Sequence, residues 1–118
     1  MNIKAIILST FFALLSPAVF AGAGHDHGHD HGHAHAPVTQ PQAEEVASRV
    51  VSTLVNRGVI DKTWADKPVK EAQQKDFGGQ MEWVVSYAND AVSDPQKRTL
   101  YIFLTLAGEY IAANYTGK

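Results

Sequence analysis

The chain has 118 residues, a formal net charge of −2 and no cysteine. Lys and Arg are scattered without a basic run, so neither nucleic acid nor an acidic membrane surface is indicated as a partner. The missing thiols exclude disulfide staples, a thiolate nucleophile, a Cys-ligated zinc site and a lipid-modified N-terminal cysteine.

Met1-Asn2-Ile3-Lys4 carries one positive charge ahead of an apolar run from Ala5 to Leu15, broken only by Ser9 and Thr10. Ser16-Pro17 ends that run, and Val19-Phe20-Ala21 then sets small residues at the positions a signal peptidase reads. The run is shorter than the ~20 residues needed to span a bilayer. Residues 1–21 are therefore expected to be a cleaved secretory signal, with cleavage after Ala23 as the alternative. The expected product is soluble and periplasmic, with no membrane association once the signal is removed.

Residues 22–38 follow as an expected disordered, metal-binding segment. All six histidines of the chain fall within it, at His25, His27, His29, His31, His33 and His35. In an extended chain, residues i and i+2 point to the same side, so neighbouring imidazoles at this spacing can converge on one ion. The spacers are Gly, Ala and Asp, and Asp26 and Asp30 can add carboxylate oxygens. Imidazole with some carboxylate suits zinc, nickel, cobalt and copper(II), bound exchangeably. Without thiolates, and with Met81 expected inside a strand, copper(I) is less suited. Many equivalent ligands on one segment favour buffering, capture or delivery over catalysis at a single rigid centre. Cleavage after Ala21 places His25 fourth in the mature chain, and cleavage after Ala23 places it second. Either leaves an amine, backbone nitrogens and an imidazole able to form a square-planar nitrogen site for copper(II) or nickel(II). The other readings of the segment are a solvated linker, an expression tag, and a pH-sensing tail acting alone or alongside metal binding.

Residues 39–118 are expected to form one compact α+β domain, with an N-terminal amphipathic helix packed on a three- to four-stranded antiparallel sheet. Thr39 can cap a helix, with Gln42 three residues on and Pro41 in the first turn. Val46, Ala47, Val50, Val51, Leu54 and Val55 then recur at helical spacing, and Gly58 follows as a C-terminal stop. Trp64 is expected to fold back on the helix end. Residues 69–77 are polar enough for either an edge strand or a loop. After the Gly78-Gly79 turn, Met81, Trp83, Val85 and Tyr87 alternate with Glu82, Val84, Ser86 and Ala88, which is strand period. Thr99 to Leu106 is apolar on both faces and reads as a central strand. Ala107-Gly108 turns it into a last strand over Glu109 to Tyr115.

One helix covers one sheet face, so Leu100, Ile102, Leu104 and Leu106 are expected beneath it. Tyr101, Phe103 and Val84 then fall on the opposite face. If bare, those rings mark a surface for a homodimer or a periplasmic protein partner. Otherwise residues 69–77, Trp64 or the chain ends fold over them. The domain offers no catalytic constellation, and no enzyme activity is expected. Glu82 and Glu109 could be pictured as an acid/base pair, but outward Glu on strands is ordinarily solvated. Asn114-Tyr115-Thr116 matches a glycosylation sequon, which carries little meaning in a bacterial-looking protein.

Glu82-Trp83-Val84-Val85, Lys97-Arg98-Thr99-Leu100-Tyr101 and the stretch from Gly108 to Gly117 (GEYIAANYTG) together resemble a family of small, uncharacterised secreted proteobacterial proteins. These often carry a histidine-rich stretch behind the signal. The resemblance spans most of the compact domain and implies compartment and architecture, not an activity. The order of helix, then antiparallel strands, is similar to a PepSY module, which implies an alternative role as a protein-binding or inhibitory unit. The histidine segment is similar to histidine-rich loops of zinc and nickel transporters and metallochaperones, which occur on unrelated proteins. The leading expectation is a periplasmic divalent-metal-binding accessory protein.

Overall fold

The computed structural model describes residues 36–118. They form one helix, α1 (Gln40–Asn56), and four strands: β1 (Glu71–Phe77), β2 (Gln80–Ala88), β3 (Thr99–Thr105) and β4 (Tyr110–Asn114). The strands lie in chain order as an antiparallel meander. The architecture is α+β, as the sequence predicts. Among the described residues no helix is long and apolar enough to cross a membrane.

The helix begins where its polar residues can satisfy its first amides. The Gln42 amide N–H donates to Thr39 Oγ1 at 3.3 Å, and the Thr39 amide donates back to Gln42 Oε1 at 2.9 Å. This is the reciprocal capping box that Thr39 and Gln42 predict. Arg57 caps the other end and Gly58 follows at φ +73°, a conformation that costs glycine nothing. Ala43, Ala47, Val50, Val51 and Leu54 are buried, whereas Val46 and Val55 are half-buried at the edges of the apolar stripe. Chain order is tied down before the helix as well. The Val38 amide donates to Leu106 O at 2.8 Å, and its side chain packs beside Gly108.

Trp83, Val85 and Tyr87 of β2 and Leu100, Ile102 and Leu104 of β3 form one buried core with the helix. Leu106 is half-buried at its margin. Tyr87 also bridges the layers, its hydroxyl 2.9 Å from Ser48 Oγ. Trp64 folds into the same core at 1% exposure, its ring 6.3 Å from that of Tyr115. Asn89 secures the adjacent loop, donating from Nδ2 to Thr63 Oγ1 and accepting from the Ala91 amide.

Residues 71–77 resolve as an edge strand rather than a loop. Its pairing runs from Glu71 opposite Ser86 to Phe77 opposite Gln80. Gly78 and Gly79 both have positive φ, +67° and +91°, which is what a two-residue hairpin turn with the native strand twist requires. The last strand is shorter than its apolar pattern suggests. Glu109 is held in the turn, its amide donating to Thr105 Oγ1 and its carbonyl accepting from the Thr105 amide. The β3–β4 register then slips by one residue, with Phe103 opposite Ala112 and Leu104 opposite Tyr110. That bulge inserts Ile111 into β4.

Candidate functional site

The predicted ligands His25, His27, His29, His31, His33, His35, Asp26 and Asp30 lie outside the described residues, as do the expected signal and its cleavage sites at Ala21 and Ala23. Among the described residues no group of three or more His, Cys, Asp or Glu side chains could hold a metal ion. Every histidine of the chain therefore belongs to the segment that precedes the fold.

The helix-free face is covered as the second expectation has it, by a residue of the 69–77 segment and by the chain end. Phe103 is only 4% exposed, because Phe77, at the end of β1, packs edge-on against it with ring centroids 5.7 Å apart. Tyr101 is half-buried, with the Gly117 backbone against its ring. Asn114 holds that last turn in place: its Oδ1 accepts from the Thr116 and Gly117 amides, and its Nδ2 donates to Lys118 O. Trp64 does not cover this face; it belongs to the helix-side core.

Phe77, Phe103, Ile111 and Ala112 are the apolar walls of a groove of about 210 Å³ on this face, and Glu82 and Lys118 supply its charged groups. The walls come from β1, β3 and β4, and the bulge sets Ile111 beside Ala112 as one of them. Ile111 is 36% exposed. Glu82 is half-buried, and desolvation pushes its carboxyl above the ordinary range. It meets no hydrogen-bonding or ionic partner among the described residues. Glu109, pictured beside it as an acid/base partner, sits in the β3–β4 turn and is not part of the groove wall. The alternation of β2 places Glu82 on the outward face, but a groove formed by residues distant in sequence is what partly dehydrates it.

A second cleft of about 150 Å³ opens between Ser48, Val51 and Ser52 of α1 and Trp64, Asp66, Lys67 and Tyr87. Asp66 adopts φ +68°, which Asp tolerates better than most residues. Burial pushes the Tyr87 hydroxyl up to about 12, against the smaller opposing effect of its bond to Ser48. It stays protonated at neutral pH and can donate or accept a hydrogen bond, but it cannot act as a base there.

The fold and its surroundings define a small α+β domain with a groove on its open sheet face, preceded by a histidine-rich segment. The chain belongs to the family of unknown function DUF6488, whose family model matches residues 1–118. No curated protein and no solved structure is significantly similar to it.

Proposed function

We propose that this chain is an exported divalent-metal-binding accessory protein that buffers, captures or delivers zinc, nickel, cobalt or copper(II). The observation that carries this reading is the segregation of its histidines. Six stand at alternate positions from His25 to His35, with Asp26 and Asp30 between them, and the 83 described residues contain none. Imidazoles at that spacing share one side of an extended chain and can close on one ion. The apolar run ahead of them is the reason for placing the protein in the periplasm after removal of residues 1–21. The domain serves as the carrier of the ligand segment.

Titration calorimetry with zinc and copper(II) tests this on the exported protein and on a form with all six histidines changed to serine. The expected result is tight binding by the first and loss of it in the second, with copper(II) bound more tightly than zinc by the usual divalent order. Affinity should fall steeply between about pH 7 and pH 5, because protons compete for imidazoles with an ordinary pKa of ~6.5. Equal affinity in the substituted protein would move the site elsewhere and end this reading.

A further inference from the structure

The groove on the helix-free face lies at the end of the sheet where the histidine segment joins the fold. Val38 is hydrogen-bonded to Leu106 and packs at Gly108, in the β3–β4 turn. Glu82 pairs with Thr105, the last residue of β3, and Phe77 directly precedes the β1–β2 turn at that same end. Adjacent strands are about 4.8 Å apart and residues advance about 3.4 Å along a strand, so the groove is on the order of 20 Å from Val38. The stretch from His29 to Ala36 spans roughly 25 Å when extended, at about 3.3 Å per residue.

The groove also has a size and a charge pattern that match the segment. At about 210 Å³ it is smaller than the ~300 Å³ at which drug-sized ligand pockets begin, and it suits one or two side chains. Its walls include two phenyl rings set edge to face, against which a flat imidazole packs well. Glu82 offers a partly desolvated carboxylate without a partner among the described residues, ready to accept an imidazole N–H. Lys118 lines the same groove and carries a cationic side chain. The segment alternates the complementary groups, His-Asp-His, at residues 25–27 and 29–31.

We infer that the histidine segment docks back onto its own domain, seating an imidazole of residues 29–33 between Phe77, Phe103 and Ile111 with its N–H on Glu82, and a neighbouring aspartate toward Lys118. A docked segment holds part of its ligand set against the domain. A metal ion would then compete with the groove for those imidazoles, or draw the remaining ones together beside it. Docking itself requires no metal, so it stands or falls separately from the metal-binding reading.

The test uses the exported protein in chelator. Gly28→Cys introduces the sole cysteine of the chain, which accepts a nitroxide label. Amide NMR should then show loss of the Glu82, Phe103, Ile111 and Ala112 signals, while Arg49 and Ser52 on the outer side of α1 keep theirs. In a Glu82→Gln, Ile111→Ser background, both substitutions being at partly exposed positions, the selective loss should disappear. Loss spread evenly over both faces, or confined to the helix side, would overturn the proposal even if the doubly substituted protein failed to fold. Mixing isotope-labelled protein without nitroxide and unlabelled protein with nitroxide separates the other occupant. Broadening of the groove signals in that mixture would assign the groove to a second copy, and would equally overturn the proposal.

Discussion

Strand β3 is buried on both sides, but by different means. Toward α1, Leu100, Ile102 and Leu104 are fully enclosed, part of a core to which the helix, β2 and Trp64 all contribute. On the opposite side, Phe103 is enclosed mainly by single neighbours: the Phe77 ring and small Ala112, with the last turn of the chain over Tyr101 beside it. A fully packed layer tolerates little change, because each side chain is held by many others at crystalline density. A face covered by a few side chains and a turn has less to lose per substitution, and it leaves a groove. The stable side of the sheet thus carries the fold, and the thinly covered side is the one able to receive another chain segment.

The largest effect should come from Leu104→Ala on the packed side, at about 2–5 kcal/mol of lost stability, from buried methyl groups plus the cavity left behind. Urea unfolding followed by tryptophan fluorescence measures it. If the loss were within a few tenths of a kcal/mol, the contrast between the faces would fail. A second effect belongs to the same side but appears only in alkali. Tyr87 is pushed from 10.0 to about 12 on folding, so between those values the unfolded chain has released a proton that the folded one still holds. The stability tied to the protonated hydroxyl is fully present below pH 10 and is lost as pH rises through about 12. Tyr87→Phe should flatten that part of the pH profile relative to the parent, at a cost of about 1 kcal/mol at neutral pH for the bond to Ser48. An unchanged alkaline slope would place the titrating group elsewhere. A third change, Phe77→Ala, removes an edge-to-face aromatic contact worth about 0.5–1.5 kcal/mol beyond its area burial from a half-exposed position, and its cost should stay below that of Leu104→Ala. A loss as large as that of Leu104→Ala would show that the two faces are equally consolidated.

The helix was legible almost to the residue. Thr39, Gln42 and Gly58 act through bonds and dihedral angles within a few residues of themselves, so their pattern says where the helix starts and stops. The Gly78-Gly79 turn was legible for the same reason, since two successive positive φ values suit only a short list of residues. Strand β1 was not, because an edge strand exposes both its outer edge and much of one face. Glu71, Gln73, Gln74 and Asp76 therefore carry no period that distinguishes pairing from solvent. The bulge in β4 was equally hidden. Leu104 faces Tyr110 instead of Ile111, and nothing local in Tyr110-Ile111-Ala112 announces the slip. The covering of Phe103 was open between two outcomes, because its partner Phe77 belongs to the strand whose existence was itself in question.

The same division holds for function. The histidine segment is visible from spacing alone, since the alternation of six histidines is a property of the local sequence and of nothing further away. The amphipathic helix, the apolar strand β3 and the assignment of Leu100, Ile102 and Leu104 to one face also follow from periodicity, which is a local property of the backbone. The tertiary structure decided the rest. Phe77, Glu82, Phe103, Ile111, Ala112 and Lys118 are spread over some forty residues of sequence and become a groove only when four strands pair in register and one of them bulges. Desolvation of Glu82 is likewise a property of that assembled surface, because a carboxylate responds to the water its neighbours exclude, and those neighbours are set by pairing between distant strands.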